Sequence, residues 1–136
     1  MKSILFVFAV FIFSCNSGEP PGMQNDAEQI AFDKCNELVV NKRLENLNKK
    51  LLVIQDSLKM SNLLEKDIKR LEFLRRQTTN KLEYYTEQKK AYVNLDKEET
   101  AKYRKTKYVK EDDWKKVNEK AAEILKTKGP CEPTAD

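Results

Sequence analysis

The chain has 136 residues, 40% of them hydrophobic and 35% charged, with 26 Lys and Arg against 22 Asp and Glu for a net charge of +4. That leaves room for one small domain. There is no His, which excludes a His-based triad or a His-ligated zinc and disfavours acid–base chemistry near neutral pH.

Met1-Lys2-Ser3 is followed by ten consecutive apolar residues, Ile4 to Phe13, and then by Ser14-Cys15. A bilayer span needs about 20 apolar residues, so this run is too short for one and has the proportions of a secretory signal peptide. We therefore expect export. Ile12-Phe13-Ser14-Cys15 resembles the lipobox of bacterial lipoproteins. The resemblance covers residues 1–15 alone and implies cleavage before Cys15, with residues 1–14 as the signal peptide. It further implies lipidation of Cys15 by fatty acyl chains such as palmitate. Two or more such chains anchor a protein stably at a membrane. Asn16 stands where an Asp often retains such proteins at the inner membrane, so the resemblance implies an outer-membrane anchor facing the periplasm. In a second reading an ordinary signal peptidase cuts near Ser17, with Cys15 and Ser17 as the small residues before the cut. The mature protein is then soluble and secreted.

Residues 15–24 read as a flexible tether, since Ser17, Gly18, Pro20, Pro21 and Gly22 oppose helix formation. All Gly and Pro lie at the two ends, and none falls between Met23 and Lys128. Average usage would put about a dozen there. Such a gap favours long helices over a turn-rich β fold. Residues 25–128 are accordingly expected to form one helical domain, and 129–136 a C-terminal tail.

The first helix is expected to begin near Asn25 and Asp26, each followed three residues on by a capping-box partner, Glu28 or Gln29. Val40, Leu44, Leu47, Leu51, Ile54 and Leu58 make a coiled-coil-type stripe. The phase slips at Met60-Ser61-Asn62, where Asn62 and Glu65 form another cap-like signal. A second stripe follows through Leu64, Ile68 and Leu71, then Leu82, Tyr85 and Tyr92, interrupted at Arg75 and Thr78. Tyr84, Tyr85 and Tyr92 read as the edge of a core. Leu52, Val53, Leu63 and Phe73 widen the apolar face beyond a two-stranded seam, as a bundle or a protein partner would require. A last helix is expected from about Asp113 to Thr127 with Asp112 as N-cap, an apolar face of Trp114, Val117, Ala121, Ile124 and Leu125, and a stop at Gly129-Pro130.

With Cys15 lipidated or removed, Cys35 and Cys131 remain. An even pair in an exported protein points to one disulfide, Cys35 to Cys131, the alternatives being two free thiols or an intermolecular bond. That bond limits the architecture. One unbroken helix from Cys35 to Leu95 would be about 90 Å long, while the return from Leu95 to Cys131 covers only about 54 Å as helix. A break removes the conflict, with Ser61 the first choice and Gln77 to Asn80 the second. The expected fold is all-α: a helical hairpin or three-helix bundle with coiled-coil character, after a signal peptide and a short tether.

No phosphate-binding loop, nucleophile elbow, supported carboxylate pair or metal-ligand spacing occurs, so no catalytic residue, metal or cofactor is assigned. The most basic stretch is Lys102-Tyr103-Arg104-Lys105-Thr106-Lys107-Tyr108-Val109-Lys110. It reads as an exposed connector, with Lys102, Arg104, Lys105, Lys107 and Lys110 as candidate contacts to an anionic surface. Lys66, Lys69, Arg70, Arg75 and Arg76 form a second basic group that reads as ordinary helix surface. Together these features predict a non-enzymatic, membrane-anchored helical interaction or accessory protein of the cell envelope. Its partner would be an envelope protein or another copy, engaged through a helix face, and no nucleic acid is expected. The alternative is a soluble secreted or periplasmic helical binding or chaperone-like module.

Overall fold

The computed structural model describes residues 19–127 and Cys131. The expected signal peptide, Cys15, the expected tether up to Gly18 and the expected Gly129-Pro130 stop lie outside the described residues. Three α-helices follow one another: α1 over Met23–Leu58, α2 over Glu65–Thr106 and α3 over Glu111–Thr127. At 1.5 Å per residue their 36, 42 and 17 residues span about 54, 63 and 26 Å. No strand occurs among the described residues, and no helix there is long and apolar enough to cross a membrane.

α1 and α2 form an antiparallel hairpin, since Asp26 meets Lys107 near one end and Arg43 meets Tyr85 further along. The turn falls where the apolar phase slips, over residues 59–64. The backbone N–H of Lys59 donates to the Asp56 carbonyl, and that of Met60 to Ser57, closing α1. The second candidate break, Gln77 to Asn80, lies inside an uninterrupted α2.

The α1 stripe packs as its spacing requires. Val40 and Ile54 are buried, and Leu44, Leu47, Leu51 and Leu58 are half-buried. Partial exposure of these positions is what a two-helix seam leaves. The expected α2 stripe holds at Leu71, Leu82 and Tyr85 but fails at its first two positions. Leu64 is 61% exposed and Ile68 is also exposed, whereas Thr78 is 3% exposed. The α2 seam runs through Leu71, Leu74, Thr78, Leu82 and Tyr85. Thr78 continues it because its hydroxyl donates to the Leu74 carbonyl at 2.8 Å, which satisfies its polar atom within its own helix.

At the end away from the turn, α3 returns over the first half of α1. Met23, Ala27, Ile30 and Ala31 of α1 close on Tyr108, Val117 and Ala121, flanked by Tyr103, Trp114, Ile124 and Leu125. The facing alanines leave little side-chain bulk between the two axes, which permits a close approach. The apolar face expected of α3 is therefore the one it buries. Cys35 and Cys131 form a disulfide with 5.4 Å between their Cα atoms. It fixes Cys131, beyond α3, to α1 one turn past Ala31.

Three expected boundaries differ. α1 begins at Met23, with Gly22 in the left-handed region at φ 82° as N-cap and no side-chain cap. Asn25 and Asp26 therefore lie within the helix rather than capping it. The N-cap of α2 is Leu64, not Asn62, and again no side chain caps it. α3 begins at Glu111, so Asp112 lies inside it and supports it through the helix dipole rather than as a cap. The folded part also starts before residue 25, because Glu19 pairs with Lys120 of α3 at 2.7 Å.

Candidate functional site

The three-helix end is organised around one buried carboxylate. Asp26 faces inward from the first turn of α1. It accepts a hydrogen bond from the Tyr108 hydroxyl at 2.7 Å and from Lys107 Nζ at 2.9 and 3.0 Å. Tyr108 is fully buried. Burial first, then the hydrogen bond to Asp26 and its negative charge, push the Tyr108 phenol well above the ordinary tyrosine range. Tyr103 is raised in the same direction, by burial and then by the Asp26 charge. Lys107 also sits 5.6 Å from the Tyr103 ring centroid, within cation–π range. Among the described residues, every buried side-chain nitrogen and oxygen has a hydrogen-bond partner.

This arrangement changes the reading of the basic stretch. Lys102 to Thr106 form the last turns of α2, so the connector is confined to residues 107–110. Tyr103 and Tyr108 belong to the core rather than to a binding surface. Lys107 pairs with Asp26, and Arg104 pairs with Glu111 across the connection. Lys102, Lys105 and Lys110 remain exposed and have no ion-pair partner among the described residues. Five apparent surface cations thus divide into two that hold the α2–α3 corner and three that face solvent.

A cleft of about 170 Å³ opens beside this core, between the three helices. Its lining includes Asp33 and Lys34 of α1, Asp96, Glu99 and Tyr103 of α2, and Trp114 and Asn118 of α3. Asp33 and Glu99 face each other across the α1–α2 seam. Burial, then the Asp33 charge and a hydrogen bond to Asp33, raise the Glu99 carboxyl above its ordinary value. Gln29 donates to both Asp33 oxygens, and Lys34 donates to Asn118 at 3.3 Å. The periodicity of the sequence held no signal for this pair, because the two carboxylates come from helices far apart in the chain. Among the described residues no group of three or more His, Cys, Asp or Glu side chains is placed to hold a metal ion.

Along the hairpin, Tyr85 is buried and accepts a hydrogen bond from Arg43 at 2.9 Å, with the guanidinium 5.3 Å from its ring centroid. Tyr84 is exposed and Tyr92 half-buried, so the three tyrosines do straddle a core edge. At the turn, the apolar residues Leu52, Val53, Met60, Leu64 and Phe73 are all exposed.

The chain matches no family model, no curated protein and no solved structure.

Proposed function

We propose that the chain is an exported, non-enzymatic helical interaction protein held at the cell envelope through lipidated Cys15. The observation that carries this reading is the Cys35–Cys131 disulfide. Disulfides form and persist in oxidising compartments outside the cytosol. Export is also what the apolar segment Ile4 to Phe13 and the lipobox-like Ile12 to Cys15 imply. The anchor belongs at the outer membrane, facing the periplasm, as Asn16 implies. The fold suits a binding role. A hairpin about 54 Å long holds a packed core at the end next to the tether and offers helix faces to an envelope protein or to a second copy.

Intact mass of the protein from membrane and soluble fractions, with and without reductant, tests this reading. The expected species begins at Cys15, carries acyl chains and is found with membranes. It gains the mass of two hydrogens on reduction. A soluble, unlipidated species beginning near Gly18 overturns the anchor and makes the protein a secreted binding module. A chain that retains residues 1–14 and gains no mass on reduction overturns export.

A further inference from the structure

The turn end of the hairpin combines two properties that the rest of the molecule does not explain. Its apolar side chains are uncovered. Leu52 and Val53 on α1, Met60 and Leu64 at the turn, and Ile68 and Phe73 on α2 are all exposed. It is also distinctly basic. Between Lys59 and Arg76 there are six cationic residues against three acidic ones, although the whole chain is nearly balanced. Lys59 is paired with Asp56, and Lys69 with Glu65. Lys66, Arg70, Arg75 and Arg76 are exposed and have no ion-pair partner among the described residues.

Helical spacing sets most of these cations on one side. Lys66, Arg70 and Phe73 recur at intervals of four and three, and Lys69 and Arg76 flank the same face. Phe73 therefore projects from the middle of a basic strip, two and a half turns along α2 from Leu64. We propose that this hairpin tip seats on an anionic lipid surface. The cations of α2 would meet the headgroup phosphates, and Phe73, in their midst, would enter the boundary between headgroups and acyl chains.

Two features favour lipid over protein. A symmetric contact with a second copy is isologous, so it would set the Lys66–Arg70 strip against itself. The uncovered apolar residues also lie around both helices and the turn rather than along one groove. A rigid partner could cover only one side of them, whereas a fluid interface surrounds a tip. The contact is independent of any N-terminal anchor, since α1 separates the two ends by about 54 Å.

The test uses the full chain as its host processes it, with Phe73→Trp as reporter and vesicles containing brominated phospholipid. Trp114, at the opposite end, is the reference in the unmutated protein. The expected result is that Phe73→Trp is quenched more than the unmutated protein by vesicles rich in phosphatidylglycerol and no more than it by pure phosphatidylcholine. The double substitution Lys66→Glu and Arg70→Glu is expected to weaken the tip contact by ~tenfold or more, and raised salt to do the same without any mutation. All the substituted positions are exposed, so helical content should be unchanged by circular dichroism. Equal quenching by both vesicle types, or none by either, overturns the proposal. So does indifference to charge reversal and salt. Concentration-dependent dimerisation abolished by Phe73→Ser also overturns it and assigns the tip to a second copy. Failure of Cys15 lipidation alters none of these readings, because they report the tip and not the tether.

Discussion

Tyr108 donates its phenolic hydrogen to Asp26 across 82 positions of sequence, at 2.7 Å and out of contact with water. The bond ties the corner between α2 and α3 to the first turn of α1. It also fixes the end of the hairpin opposite the turn. Tyr108→Phe keeps the ring and removes the donor alone, leaving Asp26 with Lys107. A loss of about 1–3 kcal/mol is expected. Asp26→Ala should cost more, because it strands the Tyr108 hydroxyl and releases Lys107 together. Tyr84→Phe, at an exposed ring, should change stability by less than ~0.5 kcal/mol. Urea unfolding of the three variants checks this, with a shift in midpoint at constant slope as the expected signature.

The Cys35–Cys131 bond joins residues 96 apart in sequence. In the chain-entropy account a loop of that size is worth about 4–5 kcal/mol. A helix the length of α3 is marginal in isolation, so it depends on packing against Ala27, Ala31 and Ile30. Substitution of both cysteines by Ser should therefore lower the midpoint of thermal unfolding while leaving most helical signal at low temperature. Hydrogen exchange should accelerate in α3 well before it does in the middle of α1. Equal acceleration throughout would show that the bond stabilises the chain as one unit.

The parts of this fold that the sequence discloses are those set by local pattern. The stripe from Val40 to Leu58, the turn near Ser61 and the apolar face of α3 all follow from periodicity and phase. The α2 stripe loses its first two positions for a tertiary reason. Leu64 and Ile68 keep helical spacing, but they lie at the free tip, where they stay exposed; burial begins at Leu71, which the stripe includes, and continues through Leu74 and Thr78, which it does not. Asp26 resembles a cap because an Asp near a helix start usually is one. Its partners are 81 and 82 residues away, and no spacing rule reaches that far. For the same reason the basic stretch reads as connector, although Tyr108 is core and Lys107 is spent on Asp26. The cleft carboxylates Asp33 and Glu99 are equally silent in the sequence, where each is one more charge on a charged helix.

Thr78 offers a direct check on the α2 register. Its hydroxyl is satisfied by the Leu74 carbonyl of its own helix, so deleting it strands no partner. Thr78→Val fills the same volume with a methyl group at a buried seam position. A change between zero and about 1 kcal/mol in favour of the folded state is expected. Thr78→Asp buries an unpaired carboxylate and should unfold the hairpin or raise that carboxyl far above its usual range. Arg75→Asp, three residues away but exposed, should be nearly silent. If Arg75 were in the seam and Thr78 outside it, the two outcomes would be exchanged.

Glu99 makes stability depend on pH with a definite sign. Its carboxyl holds its proton above the ordinary glutamate value of 4.5, first through burial and then through the facing Asp33 charge. Lys102 opposes this more weakly, and Asp96 adds to it. A group raised on folding stabilises the protein fully below its unfolded value, and the contribution is lost as pH rises through the folded value. The unfolded chain binds fewer protons here than the folded one, so this site alone lowers stability as pH climbs above about 4.5. Glu99→Gln should mimic the protonated form. It is expected to match the wild type in mild acid, to exceed it at neutral pH and to flatten the pH dependence between them. Unfolding midpoints at a series of pH values measure this. A variant that is less stable than the wild type at neutral pH would show instead that the ionised Glu99 is held by a cation.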